Sequence, residues 1–181
     1  MISALLMSSA TATVTIVETD RLIVREIVEN DGLFMLELLN SPSFLKYIGD
    51  RGVRSVDDAR SFIETRYRQS YRVHGYGLYA VDLKTEQIPI GMCGFVRRDT
   101  LPAPDLGFAF LPQYEGLGFG FESARAMVDY GRDALGFEEL LAITDPDNSA
   151  SIRLLSKLGF ISKGVIETEN EKLSLFRLEL Q

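Results

Sequence analysis

Three glycines at alternate positions, Gly116, Gly118 and Gly120, separate a short apolar strand, Leu106 to Leu111, from the strongest helical segment of the chain, Gly120 to Leu135. Ala124, Met127, Val128, Gly131 and Leu135 recur at helical spacing along one face, and Gly136 supplies the stop. Glycines let backbone N–H groups turn toward a ligand, and a helix start adds unpaired N–H groups and about half a positive charge. The junction therefore reads as an anion site, suited to a phosphate or pyrophosphate. A glycine-rich turn without any ligand is the competing reading. Two nucleotide motifs are excluded. The dinucleotide pattern G-x-G-x-x-G fails at Phe121, and no Gly-Lys-Ser/Thr follows for a P-loop.

Around this junction strands and helices alternate. Ile16 to Ile27 is rich in β-branched residues and reads as one strand. Asn30 reads as the cap of a helix from Asp31 to about Leu39, stopped by Pro42. Ser55 and Asp58 form a capping-box pattern ahead of Ala59, Phe62, Ile63, Arg66 and Tyr67 at helical spacing. Tyr76 to Leu83 and Ile88 to Val96 read as strands joined by the polar turn Lys84-Thr85-Glu86. Glu139 to Thr144 reads as a buried strand and Asn148 to Leu158 as a short helix closed by Gly159. Two strands follow, near Phe160 to Glu167 and Lys172 to Leu180. A meander beside one strand–helix–strand crossover predicts a mixed sheet.

The 181 residues suit one domain, and 46% apolar with 25% charged residues is the balance of a globular chain. A chain of this length buries about 70% of its unfolded surface, enough for a core without disulfides or metal. Cys93 is the single cysteine and His74 the single histidine. A disulfide framework, a cysteine-rich zinc site and a multi-histidine metal centre are thereby excluded, and no metal is expected. Nineteen Lys and Arg against 26 Asp and Glu give a net charge of −7, which argues against a nucleic-acid partner and fits a cationic substrate slightly better. The uncharged stretch Met1 to Val17 lacks the basic start of a signal peptide, and its serines and threonines interrupt any membrane span. The expectation is a mobile tail over residues 1–15, a single domain over 16–181, a cytoplasmic location and no membrane partner.

A second polar stretch, Thr144-Asp-Pro-Asp-Asn-Ser-Ala-Ser-Ile-Arg-Leu-Leu-Ser-Lys-Leu-Gly-Phe160, carries a strand end into the start of a helix at Asn148. With the glycine junction, it resembles the GNAT superfamily of acetyl-CoA-dependent N-acetyltransferases. The branch is the ribosomal-protein N-acetyltransferase-like (RimJ/RimL) type. Glu18-Thr-Asp-Arg-Leu-Ile-Val-Arg25 is similar to that branch's "ETERLxLR" first strand, and Ile90-Gly91 to Gly94-Phe95 to its "xIGxxG" strand. The resemblance spans about residues 16 to 180. It implies an α/β (α+β) fold with a mixed, mainly antiparallel sheet, helices on both faces, and two splayed parallel strands that hold the cofactor. These would be Leu106–Leu111 and Leu140–Thr144.

The resemblance also implies an activity: acetyl transfer from acetyl-CoA to a primary amine, by direct attack in a ternary complex and without a metal. The amine would be a protein or peptide N-terminus, which the branch mildly favours, or a small molecule, and the protein a monomer or homodimer. A non-catalytic acyl-CoA-binding module is the alternative. The cosubstrate would lie along Phe108, Ala109 and Phe110. Its phosphates would meet the loop of Glu115, Gly116, Leu117, Gly118, Phe119, Gly120 and Phe121. Asn148 and Ser151 would approach it from the following helix. Glu115 departs from the family's R/Q-x-x-G-x-G/A loop, so a carboxylate stands where Arg or Gln is usual, and weakened binding is expected. Asp105 is the candidate general base and Ser151 the candidate hydrogen-bond donor to the leaving thiolate, since Leu155 occupies the position of the tyrosine acid found in many relatives. An N–H near Phe108 or Ala109 would serve the thioester oxygen. Phe34, Tyr47 and Phe95 are candidates for the acceptor pocket. Cys93 reads as a buried hydrophobe and His74 as a surface residue.

Overall fold

A computed structural model of the chain describes residues 13–167 and 171–181. Among these residues eight strands form one sheet in the order β1-β2-β3-β4-β5-β6-β8-β7. The strands are β1 (Thr15–Glu18), β2 (Leu22–Arg25), β3 (Leu78–Leu83), β4 (Ile88–Val96), β5 (Asp105–Phe110), β6 (Glu139–Thr144), β7 (Ile161–Glu167) and β8 (Lys172–Glu179). All neighbours are antiparallel except β5 and β6. The expected tail lies outside the described residues except for residues 13–15. No helix among the described residues is long and apolar enough to cross a membrane.

The sheet is covered on both faces because its strands alternate. Tyr79, Val81, Cys93 and Phe95 point into one core with Ala124, Met127 and Val128 of α5 (Phe119–Asp133) and Leu155 of α6 (Ser149–Leu158). Ala80 and Met92, on the other face, join Met35 and Leu38 of α1 (Gly32–Leu39) and Phe44 of α2 (Pro42–Tyr47). Ala59 of α3 (Val56–Phe62) completes that second core. A period of two in the strands thus meets a period of 3.6 in the helices on either side.

Three sequence expectations need correction, and a fourth holds in part. The segment Ile16 to Ile27 is a hairpin rather than one strand. Thr19 turns the chain, its Oγ1 accepting the Leu22 N–H at 3.0 Å while its hydroxyl donates to Glu122 of α5 at 2.6 Å. Asn30 does not cap α1. It lies inside a 3₁₀ turn, Glu29–Asp31, and the carboxylate of Asp31 accepts the Val28 N–H at 2.8 Å. Pro42 does not merely end a helix. It opens α2 from its first position, where its missing N–H costs nothing. The capping pattern at Ser55 is half as read: its Oγ accepts the Asp58 N–H at 3.1 Å, but Asp58 reaches back to the N–H of Arg54. Beyond α3 the helix continues as a π-helical stretch, Ile63–Arg68, and then as α4 (Gln69–His74), ended by Gly75.

Strands β5 and β6 share a single partner pair, Asp105 with Leu141, anchored by the Leu141 N–H on the Pro104 carbonyl at 2.9 Å. Beyond Asp105 the two part, so the β6-facing edge of Leu106–Phe110 is left without a strand partner. The opening between them is the only parallel junction among the described strands, and both cavities described next lie along it.

Candidate active site

Two cavities meet at this opening. The first, of about 370 Å³, is bounded by Asp105, Leu106 and Phe108 of β5, by Arg98, and by Tyr47, Arg51, Arg66 and Tyr67 from the helical side. The second, of about 490 Å³, runs from Phe108, Ala109 and Phe110 to Glu115, Gly116, Gly118, Gly120 and Phe121, with Arg153 and Lys157 of α6 opposite. Phe108, Asn148 and Ser151 line both.

The second cavity has the chemistry of an anion site. Helix α5 begins at Phe119 with no side-chain cap, so its first N–H groups are left for a ligand. Gly118 holds φ at +87°, a left-handed conformation that costs any L side chain roughly 1–2 kcal/mol. A Cβ on Gly120 would stand 3.1 Å from Leu154 Cδ1, so glycine here keeps α6 close to the loop. Arg21 fastens the loop from below. Its Nε donates to Glu122 at 2.6 Å, its Nη1 to the Leu117 carbonyl at 3.2 Å, and its guanidinium covers the Phe119 ring at 4.4 Å. Leu117 and Phe119 therefore serve the loop without lining the cavity; Leu117 faces solvent and Phe119 is buried. Glu115 does line it, and its carboxylate accepts the Ser43 hydroxyl of α2 at 2.6 Å.

Asp105 stands at the floor of the first cavity and is 2% exposed. Its Oδ2 accepts Arg98 Nε at 3.1 Å, and its Oδ1 has no hydrogen-bond partner among the described residues. Burial raises the Asp105 pKa above the usual carboxylate range, and Arg98 offsets only part of that rise. A carboxylate so placed holds a proton more readily than an exposed one. Asn148 is the cap of α6: its Oδ1 accepts the Ser151 N–H at 3.1 Å. The Ser151 hydroxyl makes no hydrogen bond among the described residues and stands where the cavities join.

A family model described as an acetyltransferase (GNAT) domain matches residues 21–161. The chain belongs to the GNAT acetyltransferase family. The uncharacterized N-acetyltransferase YoaA of Bacillus subtilis (strain 168) is 31% identical over 153 residues, 83% of this chain and 85% of YoaA. An acetyltransferase from Agrobacterium tumefaciens str. C58 has the same fold at 20% identity, with a TM-score of 0.77 over 93% of this chain and 95% of the other. The ribosomal-protein-S5-alanine acetyltransferase of Vibrio fischeri shares it at 16% identity, with a TM-score of 0.70 over 93% and 96%. Structural neighbours thus include the ribosomal-protein acetyltransferases, consistent with the RimJ/RimL-type branch. This GNAT protein is an acetyl-CoA-dependent acetyltransferase.

The remaining sequence candidates divide. Tyr47 lines both cavities. Phe34 and Phe95 do not: Phe34 is packed in the helical core, and Phe95 is wedged edge-on between Tyr76 and Phe137. Phe44 of α2 takes the position expected of them. Cys93 is fully buried, and burial pushes its thiol up to about 12. His74 is exposed at the end of α4 and lines neither cavity. No cluster of three metal-ligating side chains occurs among the described residues.

Sequence reasoning missed the basic residues. Arg153 and Lys157 fall four apart on α6, a spacing that puts them on one face, and Lys157 also covers the Phe121 ring at 4.3 Å. That spacing was readable once α6 was placed. Arg51, Arg66 and Arg98 come from three separate segments, and nothing local in sequence joins them.

Proposed function

We propose that this acetyltransferase passes the acetyl group of acetyl-CoA to a primary amine by direct attack in a ternary complex. The observation that carries the reading is the meeting of two cavities at Phe108, Asn148 and Ser151. One is built for phosphates and a pantetheine-like arm, and the other leads to a buried carboxylate. Such an arrangement brings an amine and a thioester together without a covalent enzyme intermediate. The unpartnered edge of β5 can pair with the amides of pantetheine, and the first turn of α5 with Arg153 and Lys157 can hold its phosphates.

In this reading Asp105 takes the proton of the incoming ammonium, directly or through water. The freed nitrogen attacks the thioester carbon, a β5 N–H at Phe108 or Ala109 steadies the oxygen, the carbon–sulfur bond breaks, and the nitrogen's surplus proton passes to the sulfur, which leaves as the free thiol. Ser151 donates a hydrogen bond to the sulfur as it departs. An α-amine of pKa about 7.7–8.0 is roughly one-tenth neutral at pH 7, whereas a lysine-type amine of pKa about 10.4 is neutral about once in 2,500 molecules. The acceptor is a primary amine of a small molecule or of a peptide N-terminus.

The test is thiol release from acetyl-CoA across a panel of amines, beside thermal unfolding with and without acetyl-CoA. At 100 times its dissociation constant the cosubstrate adds about 2.7 kcal/mol, or about 5–10 °C in midpoint for a domain of this size. A shift with amine-dependent thiol release is expected. A shift without release from any amine would leave only an acyl-CoA-binding module.

A further inference from the structure

We propose that the acceptor is a small primary amine that also carries an oxyanion, a carboxylate or a phosphate. This rests on reading the first cavity as the acceptor site. The chain has a net charge of −7, and most of its guanidiniums sit on carboxylates: Arg25 on Asp31 and Asp82, Arg54 on Asp50, Arg132 on Asp133. The first cavity departs from that pattern. Three guanidiniums, of Arg51, Arg66 and Arg98, line it against two carboxyl groups, of Asp105 and Glu171. Arg98 is engaged with Asp105 at 3.1 Å, but neither Arg51 nor Arg66 has a carboxylate partner among the described residues. Among the described residues Arg51 makes one hydrogen bond, from Nη2 to the Ile48 carbonyl at 3.2 Å, leaving most of its donors unused. Both guanidiniums lie close enough to act electrostatically on the buried Tyr67, which lines the same cavity.

The backbone places these groups there. Arg66 and Tyr67 lie in the π-helical stretch Ile63–Arg68, where the wider turn departs from regular α-helical spacing. Such insertions occur frequently at functional sites. A guanidinium presents a planar fork that matches carboxylate and phosphate oxygens, so two unpaired forks in one cavity select an oxyanion. Asp105, at the same cavity's floor, is the acceptor for the ammonium proton. One cavity therefore offers a group for each end of an amine that carries an anion. A volume of about 370 Å³ holds a small molecule rather than a folded chain.

The experiment compares matched pairs on the acetyl-CoA-loaded protein: phosphoethanolamine with ethanolamine, L-amino acids with their amides, putrescine as a cationic control, and a peptide with an acidic second residue. Thiol release gives kcat/KM, and thermal unfolding reports binding independently of turnover. The anionic member of at least one pair is expected to exceed its uncharged partner by about tenfold or more in kcat/KM. The phosphate and carboxylate arms show which oxyanion is meant. Arg51→Gln and Arg66→Gln are expected to raise KM for the anionic acceptor about tenfold while leaving KM for acetyl-CoA unchanged. Equal use of both members of every pair, preference for putrescine, or a peptide used ten times better than every small anion overturns the proposal. Selective binding of anionic amines without thiol release keeps the anion site and sinks the transferase reading. No selective binding with thiol release intact does the reverse.

Discussion

Replacing Asp105 by Asn separates chemistry from folding, because the two effects have opposite signs. Asp105 is 2% exposed, with one oxygen on Arg98 and the other unpartnered. Burial raises its pKa in the folded state above the unfolded value of 3.8. The folded state therefore binds the extra proton, and stability from this group is present at low pH and lost as pH rises through the folded pKa. In its ionised form Asp105 is a buried carboxylate that burial disfavours. Asn removes that charge at nearly constant volume. Arg98 loses its partner, but its side chain is 40% exposed and can take water instead. The midpoint of D105N is therefore expected to equal or exceed that of wild type near pH 7. If the carboxylate accepts the ammonium proton, kcat/KM falls by about 10²–10⁴, equivalent to about 2.7–5.4 kcal/mol of barrier. The acidic limb of the pH–rate profile, set by a carboxyl above the usual range, vanishes with it. Thiol-release kinetics across pH, beside thermal unfolding of both proteins, make the comparison. Retention of rate and of the acidic limb would refute Asp105 as the base. Loss of rate in step with loss of stability would make its role structural.

Other perturbations read other parts of the argument. Gly118→Ala forces a Cβ onto φ +87° and to 3.3 Å from Arg21 Nη2, so a loss of about 1–2 kcal/mol and weaker acetyl-CoA binding are expected by denaturation and calorimetric titration. Glu115→Gln removes a charge beside the α5 N-terminus and is expected to tighten acetyl-CoA binding roughly two- to fivefold at low ionic strength; unchanged affinity would sink the reading that Glu115 weakens the site. Arg25→Ala strands Asp31 and Asp82 in the core, for an expected loss of about 3–5 kcal/mol in denaturant, with KM for acetyl-CoA unchanged at permissive temperature. Cys93→Ala opens a small void costing about 1 kcal/mol, yet turnover should persist; loss of activity in a folded variant would point to an acetylated cysteine and against direct attack.

What the sequence disclosed follows from how local each signal is. Strand β4 and helix α6 fall where pattern alone puts them, because alternation, caps and the glycine at 159 are all written within a few residues. The first hairpin was missed because Thr19 stabilises its turn partly through Glu122, a partner 103 residues away. Asn30 lost the capping role to Asp31 for a similar reason. Asp31 is held by the forked guanidinium of Arg25 at 2.8 and 2.9 Å, and a caps-only reading does not weigh that contact. Pro42 was read as a stop when it was a start, since proline signals both and only the chain beyond it decides.

The active site shows the same division more sharply. The glycine loop and Asn148 are local devices, and their resemblance to one family is enough to imply the cosubstrate. The acceptor side has no such signature. Arg51 follows α2, Arg66 lies in the π-helical stretch, and Arg98 follows β4. Only the folding of α2 and the π stretch toward the β5–β6 opening brings the three together. The net charge of −7 pointed weakly to a cationic acceptor, because a sum over the chain is blind to how charges are paired. Paired charges cancel locally, so a ligand responds chiefly to the unpaired ones, and in the first cavity those include Arg51 and Arg66. An enzyme family that keeps its cosubstrate and changes its acceptor should have this asymmetry. The constant ligand is met by a contiguous motif, while the variable one is met by side chains from elements that can be altered independently.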